Sequence, residues 1–245
     1  MPATSVDSWL AAEVPGRSFV DVGGLWGVVA EKVTTAASYK AATLAMVDHL
    51  PGDHELWDRF LDRARAHGID ARAIRLIACD VEAPEFPSTV GPYDVVHCNG
   101  LLYHTPTPVH FLNQLRSVTT RHLILGTVVL PKVILSRLGL PATQPLSIFV
   151  PALDAVQRRS VARAYAFPEH APALGISGDW NSWLQLRAGD GLRYDAAPYW
   201  WLHTPATVEA MLRLVAFEVV ERFPHWDDRL MYFLCRPTPL PPATD

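Results

Sequence analysis

With 245 residues, 49% of them hydrophobic and 19% charged, the chain is long enough and apolar enough to bury a large globular core. The net charge of −4 disfavours a surface that wraps nucleic acid, because such surfaces are usually basic. The three cysteines are scattered and match neither a disulfide framework nor a zinc site, so we expect a reducing, cytoplasmic location and no metal. No apolar segment is long enough to span a bilayer, and no membrane partner is expected.

Short β-rich segments alternate with helical patterns along most of the chain, which predicts βαβ units and a mostly parallel sheet. In chain order, the predicted strands are residues 18–22, 42–47, 75–79, 93–98, 122–130, 218–223 and 229–235. The predicted helices are residues 26–37, a helix capped by Asp53 and ending before Gly68, residues 109–118, and a helix that begins at Thr204-Pro205.

The alternation stops between about residues 132 and 200, where the chain is rich in proline and aromatic residues. We therefore predict one α/β domain, a Rossmann-like, seven-stranded, doubly wound sheet with helices on both faces and a lid inserted at about 132–200. Long insertions on such scaffolds often carry function. The pattern does not predict the order of the strands in the sheet.

A glycine-rich turn follows the first predicted strand, where residues 21–27 read Asp-Val-Gly-Gly-Leu-Trp-Gly. Glycines let the backbone approach a ligand closely, and the start of the next helix offers unpaired N–H groups. Such a turn is typical of sites for nucleotides and other adenosine-bearing cofactors, although it also occurs as a plain strand-to-helix connection. A nicotinamide dinucleotide is disfavoured, because the Gly-x-Gly-x-x-Gly spacing is absent.

Two further acidic residues stand at the ends of predicted strands. Asp48 ends the second strand about 20 residues after the glycine turn, where an acid holds ribose hydroxyls in such folds. Asp80 follows the third strand, where it can accept a hydrogen bond from an adenine amino group while Val81 packs on the ring. Each acid alone is also explained as a helix cap or a solvated loop residue, but three strand-end acids together favour a binding site.

The pattern Asp21-x-Gly23-x-x-x-Gly27, Asp48, Asp80 and the segment 93–108 (YDVVHCNGLLYHTPTP) resembles the class I S-adenosylmethionine-dependent methyltransferases. The segment 93–108 is especially similar to the branch that modifies the wobble uridine of tRNA. In place of the family's central glycine, this chain has Leu25. The resemblance implies S-adenosylmethionine as cofactor, with contacts at Asp21, Gly23, Gly27, Asp48, Asp80, Val81, Cys98 and Asn99.

Three histidines are candidates for chemistry. We predict a packing or supporting role for His97, because its spacing to Cys98 and His104 matches no zinc pattern. His104 lies beyond the fourth strand, near the expected methyl acceptor, and is the predicted general base, with a loop-stabilising role as the alternative. His203 is a weaker candidate for the same role.

The sequence therefore predicts an enzyme that methylates a small organic molecule, which binds under the aromatic lid. Two alternatives stay open at this point. One is a tRNA-modifying methyl- or carboxymethyltransferase, and the other is a non-catalytic relative that binds the cofactor as a sensor or scaffold.

Overall fold

Strands and helices alternate along the chain in the computed structural model, which describes residues 4–25, 31–137, 141, 143–154, 156–157 and 200–239. The helices are α1 (Val6–Glu13), α2 (Val33–Ser38), α3 (Glu55–Ala66), α4 (Phe86–Val90), α5 (Pro108–Val118), α6 (Lys132–Arg137) and α7 (Pro205–Leu214). The strands are β1 (Ser18–Val22), β2 (Thr43–Asp48), β3 (Ile74–Ala78), β4 (Tyr93–Asn99), β5 (Thr119–Val128), β6 (Ser147–Phe149), β7 (Trp201–His203), β8 (Phe217–His225) and β9 (Leu230–Pro237).

Seven of these strands form one sheet in the order β3-β2-β1-β4-β5-β9-β8. Strands β1 to β5 pair in parallel, whereas β9 is antiparallel to both β5 and β8. From β1 the chain builds outward to β3 and then returns to place β4 on the other side of β1. A ligand-binding crevice is expected at this reversal, outside the carboxyl ends of β1 and β4.

Helices cover both faces of the sheet, because neighbouring residues of each strand point to opposite sides. Helices α1, α2 and α3 bury one face, in a cluster that includes Phe19, Val95 and Ile124. Helices α4, α5 and α7 bury the other, in a cluster that includes Val20 and Val96. The predicted seven-stranded, doubly wound sheet is therefore confirmed.

Two predictions about helix starts are wrong. The helix expected over 26–37 begins at Val33; residues 26–30 lie outside the described part, and the Glu31 side chain accepts a hydrogen bond from Thr34 N (3.0 Å) at its first turn. Helix α3 is capped by His54 instead of Asp53, because His54 Nδ1 accepts from Leu56 N at 3.2 Å. An imidazole is an unusual cap, so residue type alone favoured the aspartate.

Only part of the insertion at 132–200 is described, and residues 158–199, with most of its aromatic run, lie outside that part. Strands β6 and β7, which the sequence pattern did not predict, pair antiparallel as a small second sheet. This sheet is joined to the end of β5, since Leu130 N donates to His203 O (2.8 Å) and Val129 bridges to the same residue. Among the described residues, no helix is both long and apolar enough to cross a membrane.

Candidate functional site

The predicted strand-end residues meet at one edge of the sheet. Because β1 to β4 run in parallel, Asp48 and Asn99, the last residues of β2 and β4, lie at the same edge as the turn after β1. Asp80 follows β3 by two residues, and its loop is joined to β2 by a hydrogen bond from Cys79 N to Asp48 O (2.8 Å). The strand order thus brings these predicted residues to one edge of the sheet, and their binding of a ligand stays a prediction.

The turn after β1 requires glycine at position 23. Gly23 has a φ of 77°, and its N–H donates to Val47 O at 2.8 Å, which fixes the turn against β2. A Cβ at this position would lie 2.4 Å from Leu101 Cδ1. Gly27 lies outside the described residues.

Leu25, which departs from the family pattern, points away from the edge of the sheet. Its side chain is fully buried in the cluster formed with α1, α2 and α3. The substitution therefore fills the core beneath the turn, and its side chain takes no space at the strand ends.

Asp21 lies beneath the turn and is almost completely buried, with 1% of its surface exposed. Its Oδ2 accepts from Lys32 N (2.6 Å), and its Oδ1 lies 2.7 Å from His97 Nδ1 on the neighbouring strand. Both oxygens thus hold the turn and the entry to α2, and His97 has the supporting position predicted for it. A direct contact of Asp21 with a cofactor stays a prediction, and such a contact would compete with these two bonds.

Asp48, the last residue of β2, is bonded to the loop that follows it. Its Oδ1 accepts from Leu50 N (3.2 Å) and lies 3.2 Å from His49 Nδ1. The indole N–H of Trp57 donates to the carbonyls of Leu50 (3.3 Å) and Pro51 (3.0 Å). The carboxylate is therefore fixed before any ligand binds.

The loop after β3 turns sharply at Asp80, whose Oδ1 accepts from Glu82 N at 2.9 Å. The Asp80 side chain itself is half-buried at the edge of the sheet. Val81 is only 7% exposed and packs in the core with α4 and α5. Packing of Val81 on an adenine ring stays a prediction, and only a small part of its surface is available for it.

Cys98 and Asn99 point to opposite faces of β4. The Cys98 side chain is fully buried between the sheet and α5, and burial raises the pKa of its thiol far above the usual range. Any ligand contact at Cys98 must therefore use the backbone. Asn99 is half-buried, and its Oδ1 has no hydrogen-bond partner among the residues that the structure describes.

Asn99 lies beside Tyr232 of β9, a residue that the sequence pattern did not single out. Gly126 of β5, which has no side chain, lies between them in the sheet, because it is the register partner of Asn99 on one side and of Tyr232 on the other. Burial raises the pKa of Tyr232 to about 12, although the Asn99 amide partly offsets this effect. The phenol is therefore protonated at neutral pH. The pairing of β5 with β9 brings it here, and no local motif encodes that pairing.

The two candidate bases lie beyond the strand ends. His104 ends a 3-10 helix over Leu102–His104, which begins three residues after the last residue of β4, and its half-buried ring packs on Tyr103 with centroids 4.2 Å apart. His203 is 3% exposed, and its Nδ1 lies 2.7 Å from Ser147 Oγ in the small sheet. Burial lowers the pKa of His203 to about 4, so this imidazole is neutral at pH 7. The catalytic role of His104 is not tested by this geometry and stays a prediction.

Comparison with solved structures identifies the fold. The magnesium protoporphyrin IX methyltransferase of Synechocystis PCC 6803, solved with bound SAH, matches with a TM-score of 0.55 and 17% identity, over 96% of this chain and 80% of that chain. An O-methyltransferase family protein from Burkholderia thailandensis gives a TM-score of 0.56 and 12% identity, over 94% of this chain and 52% of that one. Mitomycin 7-O-methyltransferase gives 0.53 and 11%, over 95% and 53%.

This chain therefore has the Rossmann-like fold found in those methyltransferases, and it spans about half the length of the last two. At these identities the likeness extends to the fold alone. No protein-family model and no curated protein sequence matches the chain.

Proposed function

We propose that this protein is an S-adenosylmethionine-dependent methyltransferase that acts on a small organic molecule. The observation that carries the proposal is the meeting of the Gly23 turn, Asp48 and Asp80 at one edge of a sheet with a methyltransferase fold. The magnesium protoporphyrin IX methyltransferase, which has this fold, was solved once with the cofactor SAM and once with its demethylated product SAH.

The polar groups at this edge fit the chemistry of that cofactor. S-adenosylmethionine carries hydrogen-bond donors on its ribose, its adenine and its ammonium group. The edge offers hydrogen-bond acceptors, namely the carboxylates of Asp48 and Asp80 and the Oδ1 of Asn99, which has no partner in the described part of the chain. A buried acceptor without a partner is costly, so a donor from a ligand would stabilise Asn99.

When bound, S-adenosylmethionine supplies an electrophilic methyl group. The chain contributes mainly by holding the acceptor in line with that group and by excluding water. For an acceptor that must lose a proton, we propose His104 as the base, because it lies five residues beyond the end of β4 and an imidazole exchanges protons near neutral pH.

A small acceptor is favoured by the charge of the chain and by aromatic side chains at the base of the insertion. The ring of Phe149 lies 4.7 Å from that of Trp201 and 6.2 Å from that of Trp200, centroid to centroid. Aromatic walls with a few polar groups suit small organic ligands. The net charge of −4 offers little attraction to a polyanion.

Titration calorimetry with S-adenosylmethionine and S-adenosylhomocysteine (SAH) tests the cofactor. We expect micromolar affinity, about −8 kcal/mol. Asp48→Ala should weaken binding by about 1–3 kcal/mol, because a charged acceptor is lost. Asp48→Asn should also weaken it while it keeps an oxygen for Leu50 N, which separates the lost charge from a disturbed loop.

Asp53→Asn is the matched control, since Asp53 is exposed in the same loop and its variant should bind normally. Binding of neither ligand, together with tight binding of a nicotinamide dinucleotide, would refute the proposal. Methylation of bulk tRNA with a steep salt dependence would instead refute the small-molecule acceptor. Cofactor binding without turnover on broad substrate panels would favour the non-catalytic alternative.

A further inference from the structure

The carboxylate of Glu82 joins two loops at the carboxyl edge of the sheet. Glu82 lies in the loop after β3, two residues beyond Asp80. Its Oε1 accepts hydrogen bonds from the hydroxyls of both Thr105 and Thr107, which lie in the loop after β4. Thr107 N donates in turn to Thr105 Oγ1 at 3.1 Å. One oxygen atom thus holds a segment that begins directly after His104.

The loop that carries Glu82 is fixed independently of this carboxylate. Asp80 Oδ1 accepts from Glu82 N, and His110 Nε2 donates to Glu82 O at 3.2 Å. Gln114 Nε2 donates to Ala83 O at 2.6 Å. Removal of the Glu82 side chain should therefore leave the Asp80 loop in place and release only the segment 105–107.

The segment 105–107 also contacts the insertion. Trp201 Nε1 donates to Pro106 O at 3.2 Å, so this segment lies between the Asp80 loop and the small sheet of β6 and β7. Thr105 is only 4% exposed, although its hydroxyl is polar. A buried hydroxyl needs a partner, and Glu82 provides it.

We propose that Glu82 is a positioning residue that transmits cofactor binding at the Asp80 loop to the segment 105–107 and so to the acceptor side of the site. This inference rests on the proposed methyltransferase function. Ligand contacts that further restrict the opening of the Asp80 loop also restrict the segment bonded to it, and His104 adjoins that segment. A misplacement of about 1 Å in such a segment can lower a rate about 100-fold, so the connection matters for catalysis.

The test uses SAH as the probe and amide hydrogen exchange followed by NMR as the readout. Thr105 and Thr107 supply the relevant amides, because Pro106 and Pro108 have none. In the wild type, saturating SAH should slow exchange at both threonines by about tenfold or more, as it reduces local opening. In Glu82→Ala, the slowing of exchange at Thr105 and Thr107 should fall below about twofold. The backbone amides at position 82 and at Ala83 should respond to SAH as they do in the wild type.

Conservative replacement distinguishes positioning from charge. Glu82→Gln retains an oxygen that can accept from both hydroxyls, so it should restore the response of Thr105 and Thr107 to SAH. Thr107→Val removes one of the two donors and should give an intermediate response at Thr105. Glu85→Ala is the matched control, because Glu85 is exposed in the same loop and its side chain makes no capping hydrogen bond. Melting temperatures establish that each variant is folded.

The outcomes separate this inference from the proposed function. A wild-type protein that does not bind SAH contradicts the proposed function. A wild-type protein that binds SAH without slowing exchange at the two threonines overturns the inference alone. The same holds if Glu82→Ala responds like the wild type, or if Glu82→Gln is as defective as Glu82→Ala.

Discussion

The buried imidazole of His203 should make the stability of the protein depend on pH. Its side chain is 3% exposed, its Nδ1 lies 2.7 Å from Ser147 Oγ, and burial lowers its pKa to about 4. In the unfolded chain a histidine titrates near its ordinary pKa of about 6.5. Between these two values the unfolded state binds a proton that the folded state does not, so the free energy of unfolding falls as the pH is lowered.

The expected size follows from the difference between the two pKa values. At pH 5 the solution is about 1.5 pH units below the pKa of the unfolded histidine, so the unfolded chain is protonated at this residue. His203 in the folded protein stays mostly neutral between pH 8 and pH 5. At 1.36 kcal/mol per unit, the loss of stability from this one group is about 2 kcal/mol. Near pH 4 the folded protein also takes up the proton, and the loss then levels off.

Urea denaturation of the wild type and of His203→Asn at pH 8 and pH 5 measures this contribution. Asparagine does not titrate, and its amide can still bond to Ser147, so the variant should lose about 2 kcal/mol less than the wild type between the two pH values. His122, whose pKa burial also lowers, contributes equally to both proteins and cancels in the difference. His67→Asn is the control, because it makes the same replacement at an exposed position outside the small sheet. Equal losses in the wild type and His203→Asn would refute the reasoning.

Two further predictions concern the strand ends. Gly126→Ala should destabilise the protein by about 1–3 kcal/mol, because the new Cβ would lie 2.2 Å from Asn99 Oδ1 and 2.5 Å from Tyr232 Cε1. A urea denaturation midpoint equal to that of the wild type would contradict this packing. His104→Gln should lower turnover by about 10²–10⁴-fold with unchanged affinity for the cofactor, as expected for loss of a general base. Near-normal turnover would leave positioning as the mechanism, and a lower melting temperature with a modest rate effect would indicate a loop-stabilising role.

Residue types predicted where the site lies better than which side chains face it. Asp48, Asp80 and Asn99 do stand at the carboxyl edge, because each ends or follows an apolar strand that the pattern located. Cys98 was predicted at the same site, yet its side chain is in the core. In a strand buried on both faces, the hydrophobic pattern does not indicate which neighbour points to which helix layer, since both positions tolerate small apolar residues.

The role of Asp21 shows the same limit. A motif locates the carboxylate at the end of β1, but its partners are Lys32 N and His97, which lie 11 and 76 residues away along the chain. Only the pairing of β1 with β4 brings His97 opposite Asp21. The motif therefore did not indicate the support that Asp21 gives to the turn, and its contact with a cofactor stays a prediction.

The sequence by itself determined the seven strands of the main sheet, with boundaries correct to within three residues, and the doubly wound class, because both depend on local hydrophobic periodicity and on turn residues. The tertiary structure decided the strand order, the small sheet of β6 and β7, and the contacts of Glu82 and Tyr232. These features depend on pairings between distant segments. Such pairings are selected by the packing of the whole chain, and no short stretch of sequence specifies them.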